Sequence, residues 1–176
     1  MGNLLGDLVR GQEAKQLSPT LRQGIALHHE IDHYTDNHHG IRSLIALVRP
    51  THGKYAPVVV DILLDHILAN QWDLHSDLSY QDFTQWIYDL IPEFLSELSE
   101  PVAMRLEGML HHRWIDGYDT IEKLHQVLMR MDRRASFPSQ FVSGIEDIAE
   151  HFETFASIFE EFYPTLREKL SLDVVA

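Results

Sequence analysis

Phe141, Ile145, Ile148, Phe152, Phe155, Phe159 and Phe162 recur at alternating steps of four and three residues. That period returns side chains to one face of an α-helix, so the late part of the chain reads as a helix packed along an aromatic stripe. The rest of the sequence repeats the pattern. Ser18-Pro19 is a helix start, serine as cap and proline at the first helical position, followed by Leu21, Ile25, Leu27 and Ile31. Asp36-Asn37 and Gly40 break that helix. A second run, Ile41 to Val48, is expected to end at Arg49-Pro50, and Pro57 opens a third that reaches about Trp72. Further helices are expected behind Ser79 (capping-box-like with Asp82, and kinked or split by Pro92), behind Pro101, and behind Asp119 as cap. The segment Gly2–Gly11 is apolar and closed by glycines. It reads either as a short helix with Asn3 and Asp7 on one face or as a frayed arm. The tail after Leu170 carries no signal. No window alternates apolar and polar residues over the length of a strand. The expected fold is all-α, a single-domain bundle of about seven helices over residues 1–176.

Two polar stripes interrupt this pattern. In HHEIDHYTD, residues 28–36, His28, Asp32 and Asp36 stack on one helical face. In DILLDH, residues 61–66, Asp61 and Asp65 do the same on a helix that is otherwise Val, Ile and Leu. Carboxylates and imidazoles inside apolar helices cost free energy unless they are paired or metal-bound. One reading brings the two stripes together around a divalent ion, with the adjacent pair Asp65-His66 reaching a groove from directions about 100° apart. A competing account makes these carboxylates helix caps and ion-pair partners of Arg10, Arg22, Arg42 and Arg49. His33, His38, His39, His111 and His112 show no regular spacing to a partner and read as surface residues.

The chain has no cysteine, which removes disulfides, thiolate metal sites and a thiol nucleophile. GxGxxG, GxxxxGK[ST], GxSxG and HExxH are absent as well. A mixed His/Asp ligand set suits a hard or borderline divalent ion, whose usual employment is phosphate-ester hydrolysis. A net charge of −13 argues against nucleic-acid and anionic-membrane partners. No signal peptide opens the sequence and no apolar run reaches spanning length, so a cytoplasmic location is expected.

GNLLGDLVRG, GIALHHEIDHYTDNH and PVVVDILLDHILANQW, in that order, resemble the signature blocks of the acyl carrier protein phosphodiesterase family, with further likeness at MDRRASF and FEEFYP. The resemblance covers nearly the whole chain. It implies a helical fold related to the HD phosphohydrolases with a distorted His/Asp site. The implied reaction is hydrolysis of the 4′-phosphopantetheine arm from holo acyl carrier protein, with Mn²⁺ or Mg²⁺ as cofactor. Asn3, Asp7 and Arg10 match the first block; His28, Asp32, Thr35 and Asp36 the second; Asp61, Asp65, His66 and Trp72 the third. The resemblance assigns His28, Asp65 and His66 to the metal, and Asp7 to it or to orienting the water. Asp32 and Asp36 become orienting groups or a general base, and Arg10, with Asn3, meets the substrate. The alternatives are an HD-type phosphohydrolase for a small phosphate ester or nucleotide, and a non-catalytic carrier-binding module.

Two features depart from the family pattern. A histidine-bearing helix is expected before the GNLL block and does not precede it here, and His29-Glu30 stands where a more basic pair is expected. Charge adds a requirement. Acyl carrier proteins are acidic, as this chain is, so docking needs a concentrated basic face. Arg42, Arg49 and Lys54, or Arg130, Arg133 and Arg134, are the candidates.

Overall fold

The computed structural model describes residues 1–170, so the tail after Leu170 lies outside the described residues. In chain order the helices are α1 Gly11–Gln16, α2 Pro19–Asn37, α3 His39–His52, α4 Ala56–Asn70, α5 Tyr80–Phe94, α6 Glu100–His112, α7 Ile121–Arg134 and α8 Gly144–Lys169. Seven of them are thirteen residues or longer and α1 has six; the described residues contain no strand. None of the described helices is long and apolar enough to cross a membrane. The fold is all-α. Among the described residues the contacts gather into two compact units, residues 1–34 with 81–115 and residues 35–80 with 116–170.

In the first unit, Leu5, Val9, Leu17, Leu21, Ile25, Tyr88, Ile91, Val102 and Leu106 form one buried core. The segment Gly2–Gly11 is therefore anchored rather than frayed. It opens with a 3-10 turn, Asn3–Leu5, and both Leu5 and Val9 are fully buried. Close approach explains two of its neighbours: a Cβ on Gly24 would lie 2.6 Å from the Gly2 Cα, so only paired glycines let this turn rest on α2. Arg113, in the left-handed region at φ 47, ends α6. Its guanidinium then sits 4.6 Å above the Tyr88 ring, and the Tyr88 hydroxyl accepts from the Ile115 amide at 2.9 Å.

In the second unit α4 is the central element, buried through Val59, Val60, Ile62, Leu63, Leu64 and Ile67 and packed against α3 and α8. α3 runs through Pro50 to His52 instead of stopping at Arg49-Pro50, and Gly53 at φ 55 ends it. His52 is buried, and its Nε2 donates to the Asp147 carboxylate in the first turn of α8 at 2.6 Å. The aromatic stripe holds with two changes. Phe141 belongs to a 3-10 turn, Phe141–Ser143, ahead of α8. Phe152 is 43% exposed because His151 (φ −117, ψ 17) breaks the helical register beside it. At α7 the cap is Thr120, whose side chain accepts from the Lys123 amide; Asp119 pairs instead with the Lys123 ammonium at 2.7 Å. α5 continues past Pro92 only to Phe94, where a 3-10 turn, Leu95–Glu97, replaces it.

Candidate functional site

The first unit brings Asp7 and Asp32 to His28. The i,i+4 spacing on α2 puts Asp32 Oδ2 3.1 Å from His28 Nε2, and Asp7 Oδ1 reaches the same nitrogen at 3.5 Å. The three ligand atoms lie within 4.8 Å of one another. His28 is mostly buried, whereas the Asp7 and Asp32 side chains are 79% and 52% exposed. Nε2 itself is sealed from solvent and makes no hydrogen bond to the described residues, so the carboxylate contacts are close approaches without hydrogen-bond alignment. A buried polar atom in that position asks for a partner. A divalent ion between one imidazole and two carboxylates supplies it with small side-chain adjustments, since ligand distances of about 2.0–2.2 Å bring donor atoms to roughly 3 Å from each other.

Gly6 makes this arrangement possible. A Cβ there would overlap Cδ2 and Cγ of the His28 ring. The burial of Leu5 and Val9 on the core side turns Asp7 outward, toward Nε2. Asn3 and Arg10 are exposed in the same unit. The block GNLLGD thus has a physical reading. Gly2 seats the turn on Gly24, Gly6 admits the imidazole, and Asp7 faces it.

The remaining sequence candidates, Asp36, Asp65 and His66, belong to the second unit with Asp61. Asp36 is exposed near the end of α2. His66 is buried on α4; its Nδ1 donates to the Tyr118 carbonyl at 2.6 Å. The Asn70 side-chain amide, one turn on, donates to the His66 carbonyl at 2.8 Å and lies beside the ring. With the proton fixed on Nδ1, Nε2 keeps its lone pair, which is the form an imidazole needs to bind a metal or accept a proton. Surrounding protein, and secondly the Asp61 carboxylate one turn away, push the Asp65 carboxyl well above the usual carboxylate range. Asp61 and Asp65 are both exposed residues of α4. The Tyr118 phenol is pushed up by burial and by Asp65 and Asp61, with Arg130 opposing. Sequence reasoning passed over Tyr118 and Asn70; the i,i+4 step from His66 to Asn70 was the available signal.

A second trio, His38, His39 and Glu161, also lies within metal-ligand reach. His39 and Glu161 are 79% and 62% exposed, and the positive end of the α3 dipole lies at His38. This group reads as a hydrated ion pair.

The fold and the trio at His28 define a class: an all-helical protein with a group of nitrogen and oxygen atoms that could hold a metal ion. The chain belongs to the acyl carrier protein phosphodiesterase family, whose model matches residues 1–166. It is 30% identical over 171 residues to the acyl carrier protein phosphodiesterase of Serratia proteamaculans, covering 96% of this chain and 88% of that one. The protein of the same name from Escherichia coli is 30% identical over 172 residues, covering 97% and 89%. That from Yersinia enterocolitica is 29% identical over 168 residues, covering 94% and 86%. No solved structure matches the chain significantly.

Proposed function

We propose that this protein hydrolyses the phosphodiester joining 4′-phosphopantetheine to the serine of holo acyl carrier protein. Water adds at phosphorus, the bond to the serine oxygen breaks, and apo carrier and phosphopantetheine leave. The observation that carries the chemical reading is the His28 Nε2 atom, closed to solvent and faced by the Asp7 and Asp32 carboxylates. The family and its named relatives carry the substrate.

In this reading Asp7, His28 and Asp32 hold a divalent ion, Mn²⁺ or Mg²⁺. When bound, that ion supplies charge neutralisation at the phosphoryl oxygens and activation of water. His28 is the fixed ligand, since its ring is clamped against Gly6. Asp7 and Asp32 are the solvent-facing ligands, open to an incoming diester, and Asp32 doubles as the group that orients the attacking water. Arg10, exposed beside the first block, binds the phosphodiester as a guanidinium–phosphate pair, and Asn3 donates to the same substrate. Asp36, Asp65 and His66 are proposed as further catalytic residues; Asp65 and His66 carried the metal in the sequence reading. In this reading Asp65 acts as a proton donor, its carboxyl being pushed above the usual range by the surrounding protein and by Asp61. A cytoplasmic location, shared with the carrier, is part of the same proposal. The test is a mass measurement of holo carrier after incubation with enzyme and Mn²⁺. Loss of the phosphopantetheine mass supports the reading. An unchanged mass, with an active relative alongside, rejects it.

A further inference from the structure

The second unit carries a feature that the metal and acid residues do not use. Phe137 is 60% exposed, in the connection between α7 and α8. The loop that carries it is tied to α7. Asp132 on α7 takes the Ser139 hydroxyl at 2.7 Å, the Phe141 amide at 2.9 Å and the Val142 amide at 3.1 Å. The segment between them is closed into a loop with Phe137 held outward. Lys54, in the turn after α3, places its ammonium 3.0 Å from the centre of the Phe137 ring and 4.9 Å from that of Tyr55. Arg133 and Arg134, both exposed, end α7 just before the loop. In a chain of net charge −13, an exposed ring meets a lysine ammonium and lies on a loop that begins just after two exposed arginines.

We infer that Phe137, with Lys54 against its ring and the exposed Arg133 and Arg134 leading into its loop, is the docking platform for an acidic protein face, namely that of the acyl carrier protein. This rests on the proposed function for the partner's name. The local chemistry supplies the kind of partner. An exposed aromatic with a lysine against its ring and arginines leading into its loop fits a folded surface offering an apolar contact ringed by carboxylates. Polynucleotides fit poorly, because three local cations do not offset the repulsion between a densely charged polyanion and the acidic remainder of the chain. The platform adds orientation and encounter rate, and it takes no part in bond cleavage.

The experiment compares the full chain with Lys54→Glu, Arg133→Glu and Phe137→Ala, all at exposed positions. Two readouts are taken: affinity for apo carrier by titration calorimetry, and steady-state hydrolysis of holo carrier and of a small phosphodiester. The platform predicts that each variant weakens apo-carrier binding and raises KM for holo carrier by roughly tenfold, with kcat and small-diester turnover close to the parent's. Parent binding should also weaken with salt, less so in the charge-reversed variants. Variants that bind apo carrier as the parent does overturn the platform. So does a parent that binds anionic phospholipid vesicles and not carrier. A parent that binds apo carrier through these residues but leaves holo carrier intact overturns the proposed reaction and not the platform.

Discussion

Gly6 and His28 share one space: a methyl group on Gly6 would overlap the ring carbons of His28. The Gly6 backbone is ordinary right-handed helix (φ −54, ψ −42), so alanine is conformationally allowed there. The requirement for glycine is purely steric. Gly6→Ala should therefore cost about 1–3 kcal/mol through overpacking and displace the imidazole from Asp7 and Asp32. The double variant Gly6→Ala/His28→Ala should recover much of the lost stability, because the methyl then enters vacated space. Urea melts of the two single variants and the double one measure this coupling. Additive losses would contradict it.

Metal affinity should follow the geometry at Nε2. His28→Ala and Asp32→Asn are expected to weaken Mn²⁺ binding at least tenfold, a loss of the order seen when even indirect partners of a metal site are removed. Asp7→Asn should do less, its oxygen being the more distant at 3.5 Å against 3.1 Å. Because Asp7 and Asp32 are largely exposed, their variants should stay within about 0.5 kcal/mol of the parent in metal-free stability. Calorimetric titration and thermal melts with and without chelator separate the two effects.

Asp65 predicts a pH-dependent stability of defined sign. Its carboxyl is raised by surrounding protein and by Asp61, so between the ordinary carboxylate pKa and the raised one the folded protein holds a proton that the unfolded chain has released. Stability contributed by this group falls as pH rises through that window and is constant below about pH 3.9, where both states are protonated. Asp65→Asn removes the dependence. The variant should gain Tm over the parent as pH rises through the window, match it at low pH, and lose activity. A Tm difference independent of pH would contradict the account.

Asp132 has the opposite sign. Burial alone would raise its carboxyl. The hydrogen bonds from Ser139, Phe141 and Val142, with His52 nearby, outweigh that and hold it below the usual range. Its contribution is present above the unfolded value of about 3.9 and is lost as pH falls through the lowered one. Asp132→Ala should cost about 1–3 kcal/mol at neutral pH and speed amide hydrogen exchange at Phe141 and Val142. Exchange at parental rates would show that the loop is held by something else.

The helical period made the architecture legible. The apolar run of α4 is where the spacing puts it, and so is the α8 stripe at Ile148, Phe155, Phe159 and Phe162, while Phe141 falls in the turn before the helix and Phe152 faces solvent. Boundaries were less so. Pro50 sits inside α3 because one missing amide near a helix end is tolerable, and Thr120 took the cap from Asp119, whose carboxylate found Lys123. The His28–Asp32 contact was readable because both lie on one helix. Asp7 joins them from a separate segment, and its approach depends on Gly6 and Gly24, whose role is the absence of a side chain. Periodicity cannot report such packing. Tyr118 was invisible for a related reason: what it offers His66 is a backbone carbonyl, which any residue carries.

The most direct measurement is single-turnover hydrolysis of holo carrier, followed by intact mass, with the parent and with His28→Ala at equal saturating Mn²⁺. The account predicts complete conversion to apo carrier by the parent and a rate lower by at least a hundredfold in His28→Ala, with unchanged helical content by circular dichroism. Equal rates in the two proteins would contradict it.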